Sequence, residues 1–228
     1  MEPTPTPRPR PVPRAPPPLF SWTYLGLCVL VFLPHALDGE PPDRFVLYGP
    51  AVAAGQWWRV LTCNLEHVTP LHILLNGLSI YSFGPVVERQ IGTARLFVVS
   101  LICGLTSSAA ALAFTWFLKS AGASGVIAGW LGLALPIFDG RARKVLLQWT
   151  ILLVLVSLAP RVSWAAHLGG FLGGLVPGLL IRYGARRDPT RPFRPFDRLA
   201  LPLLVLAAVT VFLAVRMHAP ASFGIPPA

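Results

Sequence analysis

Ala166-His167-Leu168-Gly169-Gly170 opens an apolar run over 164–183 that continues through Gly173, Gly174 and Gly178. The pairs 169/173, 170/174 and 174/178 repeat at the interval that lines a helix face, and small residues at that spacing let helices in a bilayer meet backbone to backbone. The spacing recurs at Gly125 and Gly129, in a run that begins Gly122-Ala123-Ser124-Gly125. The two runs predict a closely packed pair of helices, one headed by a histidine and the other by a serine. Polar side chains at membrane depth are expensive and usually functional.

Outward from this pair, seven apolar stretches run over 19–37, 69–87, 94–118, 124–138, 145–159, 164–183 and 199–217. The bulk composition agrees. The 228 residues are 54% hydrophobic and only 12% charged, against about a quarter charged in soluble domains, and the mean hydropathy is +0.62. The expected fold is all-α, a polytopic membrane helix bundle. Residues 38–68 are too polar to span and form an outer loop, with Trp57 and Trp58 suited to the membrane–water interface. The fourth and fifth stretches are short for a hydrocarbon core of about 30 Å, which predicts thinned bilayer or a water-filled recess beside them.

The net charge of +10 does not require nucleic acid, because the basic residues are sorted by side. The amino-terminal arm (Arg8, Arg10, Arg14), the loops with Arg89 and Arg95 and with Arg141, Arg143 and Lys144, and the six arginines between Arg182 and Arg198 hold 14 of the 19. The positive-inside rule then puts the amino terminus in the cytoplasm and the carboxyl terminus outside. The arginines after the sixth stretch also suit anionic lipid. Nine prolines in the first 18 residues favour an extended arm, and neither a signal peptide nor a mitochondrial presequence is expected there. Cys28, Cys63 and Cys103 are too few and scattered for a disulfide framework or metal cluster; Cys28 and Cys103 read as packed small side chains.

This orientation brings His67, His72, Asn76, Ser124 and His167 to similar depth near the outer face. Gly122 and Gly125 leave the backbone beside Ser124 open to a peptide, and the free N–H groups of a helix start favour an oxyanion. Close glycine packing would bring His167 within reach of Ser124 as its general base. His72 and Asn76, four apart on one helix face, could donate to an oxyanion or bond each other or neighbouring carbonyls. Among acids, only Glu66 is conceivable as an orienting partner of the histidine, and a Ser–His dyad is the preferred reading. HExxH is absent and no metal or cofactor is expected.

These residues resemble the rhomboid family of intramembrane serine proteases. The resemblance runs through Trp58-Arg59, Thr62, His67, His72, Asn76, Gly84, Glu88, Gly92, Gly122-Ala123-Ser124-Gly125 and Ala166-His167-Leu168-Gly169-Gly170. It implies a six-helix core plus one carboxyl-terminal transmembrane helix. It implies Ser124 as nucleophile, His167 as base, and an oxyanion hole of His72, Asn76 and the Ser124 N–H. His67 and Arg59 would stabilise the first loop, and Glu88 would be a structural hydrogen-bonding residue. Many members carry an aromatic one turn after the serine, beneath the histidine ring. Here that position is Ala128, so Trp130 or Trp164 would support the ring, or it would be held less tightly.

The expected organisation is an arm over 1–18, the six-helix core over 19–183, and a basic loop, seventh helix and tail over 184–228. The expected activity is cleavage of membrane-tethered proteins near the outer face, in a multi-pass protein of a prokaryotic plasma membrane. A rhomboid-like pseudoprotease that binds clients without cutting them and a small transporter are the alternatives. The partners expected are transmembrane substrates and the bilayer, without nucleic acid; the oligomeric state is not legible.

Overall fold

The computed structural model describes residues 17–39 and 43–218; most of the arm, Glu40 and the tail after His218 fall outside the described residues. All seven apolar stretches form helices: α1 (Leu19–Asp38), α4 (Pro70–Ile91), α5 (Thr93–Phe114), α6 (Ser124–Ile137), α7 (Gly140–Ser157), α8 (Trp164–Arg187) and α9 (Arg194–His218). Two further short helices, α2 (Gly49–Ala53) and α3 (Arg59–Thr62), lie in the long loop between α1 and α4. The result is a polytopic helical bundle and an integral multi-pass membrane protein. Five helices (α1, α4, α5, α8 and α9) are long and apolar enough to cross a bilayer. Leucine, valine and phenylalanine side chains stand exposed along the outer faces of α1, α4, α7 and α9, a surface that suits lipid rather than water.

α6 sits at the centre, packed chiefly on α8 and also on α5, α7 and α4. Nearly every residue from Gly125 to Ala134 is buried. Its 14 residues reach only about 21 Å, but an enclosed helix need not match the bilayer. α7 is longer than its apolar stretch: it begins at Gly140, and Arg141, Arg143 and Lys144 form its first turn.

The glycines of α8 divide between two neighbours. A Cβ at Gly170, Gly174 or Gly178 would land on the carbonyls of Gly125, Gly129 or Leu133 in α6, whereas one at Gly169 or Gly173 would strike Thr106 in α5. α8 is thus clamped on two faces at backbone distance, and only glycine fits the seam.

At the end away from Ser124, the Glu88 carboxylate accepts from Phe20 N (2.9 Å), Ser21 N (2.8 Å), Ser21 Oγ (2.7 Å) and Thr93 Oγ1 (2.7 Å). An anion is thereby set against the first-turn N–H groups of α1, where the helix dipole favours it. One buried side chain ties α1, α4 and α5 together. Trp130 fills the middle, packed on Phe20, Tyr24 and Phe83, with its Nε1–H donating to Ser100 Oγ at 2.8 Å.

The loop between α1 and α4 has its own core. Leu47, Val52, Ala53, Val60 and Trp116 pack with Val211, Ala214 and Val215 of α9, and Leu47 and Ser120 exchange backbone hydrogen bonds of 2.8 and 2.9 Å. Trp57 and Trp58 are exposed on its surface. Cys28, Cys63 and Cys103 are all free and buried.

Candidate active site

Three helix starts meet at one end of the bundle. α4 begins with Pro70 after Thr69, whose side chain accepts from His72 N at 3.1 Å, a regular N-cap. α8 is capped in the same way by Ser163, which accepts from Ala166 N at 3.3 Å. α6 begins at Ser124 with no side-chain cap, so the N–H groups of its first turn point outward from the positive end of the helix.

Between these starts, His167 Nε2 lies 2.8 Å from Ser124 Oγ. The two glycine runs set this distance, because α6 and α8 touch through backbone just below it. His167 is 7% exposed, so its ring is held out of bulk solvent. A neutral imidazole with its Nε2 lone pair on a serine hydroxyl can take up the hydroxyl proton.

On the far side of the serine, Gly122 has φ of +122°, a conformation that L side chains rarely adopt. A Cβ there would lie 2.6 Å from His72 Nε2 and 3.3 Å from Asn76 Nδ2. His72 and Asn76 therefore both point to the space beside residue 122. Asn76 is 7% exposed, and its Nδ2 has no hydrogen-bond partner among the described residues. A buried amide without a partner is unfavourable and calls for an explanation. Of the roles left open for Asn76, donation from Nδ2 to a neighbouring carbonyl is not what the structure contains.

His67 is fully buried behind this space. Its Nδ1–H donates to Leu65 O at 3.1 Å, its Nε2 faces Ala123 N at 3.5 Å, and its ring meets His72 edge-on at 5.0 Å. Burial, with His72 adding to it, pushes the His67 imidazole down to about 4, so it is neutral at neutral pH. It props the segment that leads into Ser124, and Gly122 N–H donates to Cys63 O at 2.9 Å in the same segment. Arg59, buried in the loop between α1 and α4, donates to Gln56 Oε1 (2.6 Å), Val46 O (2.7 Å) and Asp43 O. Glu88 is at the opposite end, as described.

Glu66 is turned away from the site: its carboxylate meets His35 Nε2 at 3.1 Å and accepts from His67 N at 3.0 Å. Neither tryptophan supports the imidazole. Trp130 is locked in the central aromatic cluster, and Trp164 is 47% exposed and packs on Phe114. Instead His167 Nδ1 meets Ser157 Oγ at 2.6 Å. The sequence offered no local sign of this serine, which closes an apolar helix like many others.

The family model described as Rhomboid domain matches residues 54–184. The chain is 29% identical over 222 residues to rhomboid protease GluP of Bacillus subtilis (strain 168), covering 89% of this chain and 41% of that one. It is 34% identical to RHOMBOID-like protein 2 of Arabidopsis thaliana, over 82% of this chain and 68% of the relative. RHOMBOID-like protein 4 of the same plant is also 34% identical, over 58% and 36% respectively. The chain thus spans less than half the length of two of these three relatives. With the model match covering more than half of its residues, this chain belongs to the rhomboid family.

Proposed function

We propose that the chain is an intramembrane serine endopeptidase that cleaves membrane-tethered proteins near the outer face through a Ser124–His167 dyad. The observation that carries the reading is the 2.8 Å contact between Ser124 Oγ and His167 Nε2. It is reinforced by a buried Asn76 amide with no partner among the described residues. One relative is named a rhomboid protease, in agreement with the chemistry.

His167 Nε2 takes the Ser124 proton as Oγ bonds to the scissile carbonyl carbon. The negative oxygen forms beside Gly122, where Asn76 Nδ2, His72 and the Ser124 N–H donate to it. The C–N bond then breaks, the proton passes from Nε2 to the leaving amine, and water releases the acyl group by the same steps in reverse. The substrate segment must leave its helix to reach Ser124, so helix-destabilising sequences are preferred. Gly122 and Gly125 keep the approach open, and His67 and Arg59 hold the loop above it.

The core over 19–183 does this work, and residues 184–228 append the seventh helix. The basic ends of α4 and α8 and the basic first turn of α7 gather opposite Ser124, where Arg182 donates to Pro136 O at 2.7 Å and Arg95 pairs with Asp197 at 2.7 Å. That end faces the cytoplasm of a prokaryotic cell and its anionic lipid, with the amino terminus inside and the carboxyl terminus outside.

The test is cleavage of a membrane-tethered reporter by purified protein in vesicles. Wild type cleaves and Ser124→Ala does not, and a fluorophosphonate labels Ser124 in the wild type alone. Equal cleavage by both proteins rejects the reading. Client binding without cleavage or labelling makes the chain a pseudoprotease.

A further inference from the structure

Ser157 is the last residue of α7, and its hydroxyl has two neighbours. It donates to Leu153 O, one turn back, at 2.6 Å, the usual bond of a helical serine. It also lies 2.6 Å from His167 Nδ1. A carbonyl can only accept, and a hydroxyl has one proton. With that proton on Leu153 O, the contact to Nδ1 is a hydrogen bond only if Nδ1 carries the hydrogen and Ser157 Oγ accepts.

We infer that Ser157 is a positioning residue, which selects the Nδ1–H tautomer of His167 and so leaves the Nε2 lone pair free for Ser124. The arrangement is a directed chain: Ser124 O–H to Nε2, Nδ1–H to Ser157 Oγ, Ser157 O–H to Leu153 O. Each donor has an acceptor, and the order reverses only if Ser157 gives up its carbonyl. The same acceptor steadies the imidazolium formed during catalysis, a task that usually falls to a carboxylate. Glu66 is committed to His35 and His67, and no ring stacks on His167 among the described residues, so orientation falls to this hydroxyl. The Ser157–His167 contact is also the one side-chain hydrogen bond from α7 to another element among the described residues.

This role presupposes that His167 is the general base. Among the described residues, His72 on α4 is the other titratable group that acts on the imidazole, with His67 packed against it from the loop before, and both remain in every variant below.

Ser157→Thr keeps the hydroxyl, and Ser157→Val has nearly the same shape without it. In vesicles with the tethered reporter, Thr keeps kcat within about twofold. Val lowers kcat about tenfold with KM unchanged, the scale of one lost hydrogen bond in the transition state, and slows fluorophosphonate labelling of Ser124 by the same factor. Ser157→Asp raises the acid limb of the pH–rate profile by about one unit, because a carboxylate stabilises the imidazolium. A structural role alone would not move that limb. Equal kcat in Thr and Val, an unmoved limb in Asp, or misfolding of Val alone overturns the inference. Wild-type cleavage by Ser124→Ala would instead reject the protease reading, so the two failures are distinct.

Discussion

Gly122→Ala tests the geometry on the far side of Ser124 from the histidine. The added Cβ would sit 2.6 Å from His72 Nε2, 2.7 Å from its Cε1 and 3.3 Å from Asn76 Nδ2. Ordinary contact begins near 3.4 Å, so the imidazole must retreat by about 0.8 Å, and a misplacement on the order of 1 Å costs about 10²-fold in rate. If the methyl also shields one donor from the oxyanion, the loss reaches about 10³-fold. The φ of +122° adds about 1–2 kcal/mol of backbone strain. Gly55→Ala is the matched control: φ there is +95° and a Cβ would meet nothing within 4 Å. The assay is kcat on the tethered reporter in vesicles, with thermal unfolding of each variant alongside. Both variants lose a few degrees of Tm, and only Gly122→Ala loses kcat. Equal kcat in the two variants would refute an oxyanion site beside residue 122.

Glu88→Gln puts an amide NH2 against the donors of Phe20, Ser21 and Thr93, so at least one buried bond fails. The expected loss is about 2–3 kcal/mol, seen as lower Tm with kcat per folded enzyme unchanged; an unaltered Tm would remove Glu88 as the cap of α1. Acidification tests His67. Its imidazole is lowered from 6.5 to about 4, so between these values the unfolded chain binds more protons than the folded one. The stabilisation is therefore complete above about pH 6.5 and lost as the pH falls towards 4, up to about 3 kcal/mol. Thermal unfolding at pH 7.5 and 4.5 measures it, with His67→Gln showing the smaller drop; identical drops would mean that His67 is not held neutral.

Much of this was legible because the bilayer imposes a strong pattern. Seven apolar stretches became seven helices, and the dominant features of the site lie at helix starts marked by Gly, Pro or Ser. What escaped reading depends on distant partners. α2 and α3 are too short to show a period; α2 is held by Trp116 and α9, and α3 by α5, where Ser108 Oγ donates to Val60 O. The ends of α7 were misjudged because a charged first turn masks an interfacial helix start. For the support of His167 the sequence leaves open a tryptophan or a loosely held ring, and Trp130 has its place among Phe20, Tyr24 and Phe83 instead. Ser157 sits in Leu155-Val156-Ser157-Leu158, where nothing local separates a positioning hydroxyl from one that simply bonds its own helix.

The contact between α6 and α8 has a mechanical consequence. Side-chain layers between helices act as a cushion, since rotamers can shift to absorb small displacements. Here carbonyls of α6 rest directly on glycine Cα atoms of α8, with no such cushion, so the two helices must move as one rod. Stresses from membrane tension or thickness fall on the surrounding jacket of α1, α4, α7 and α9, and the rod at its centre keeps its registration.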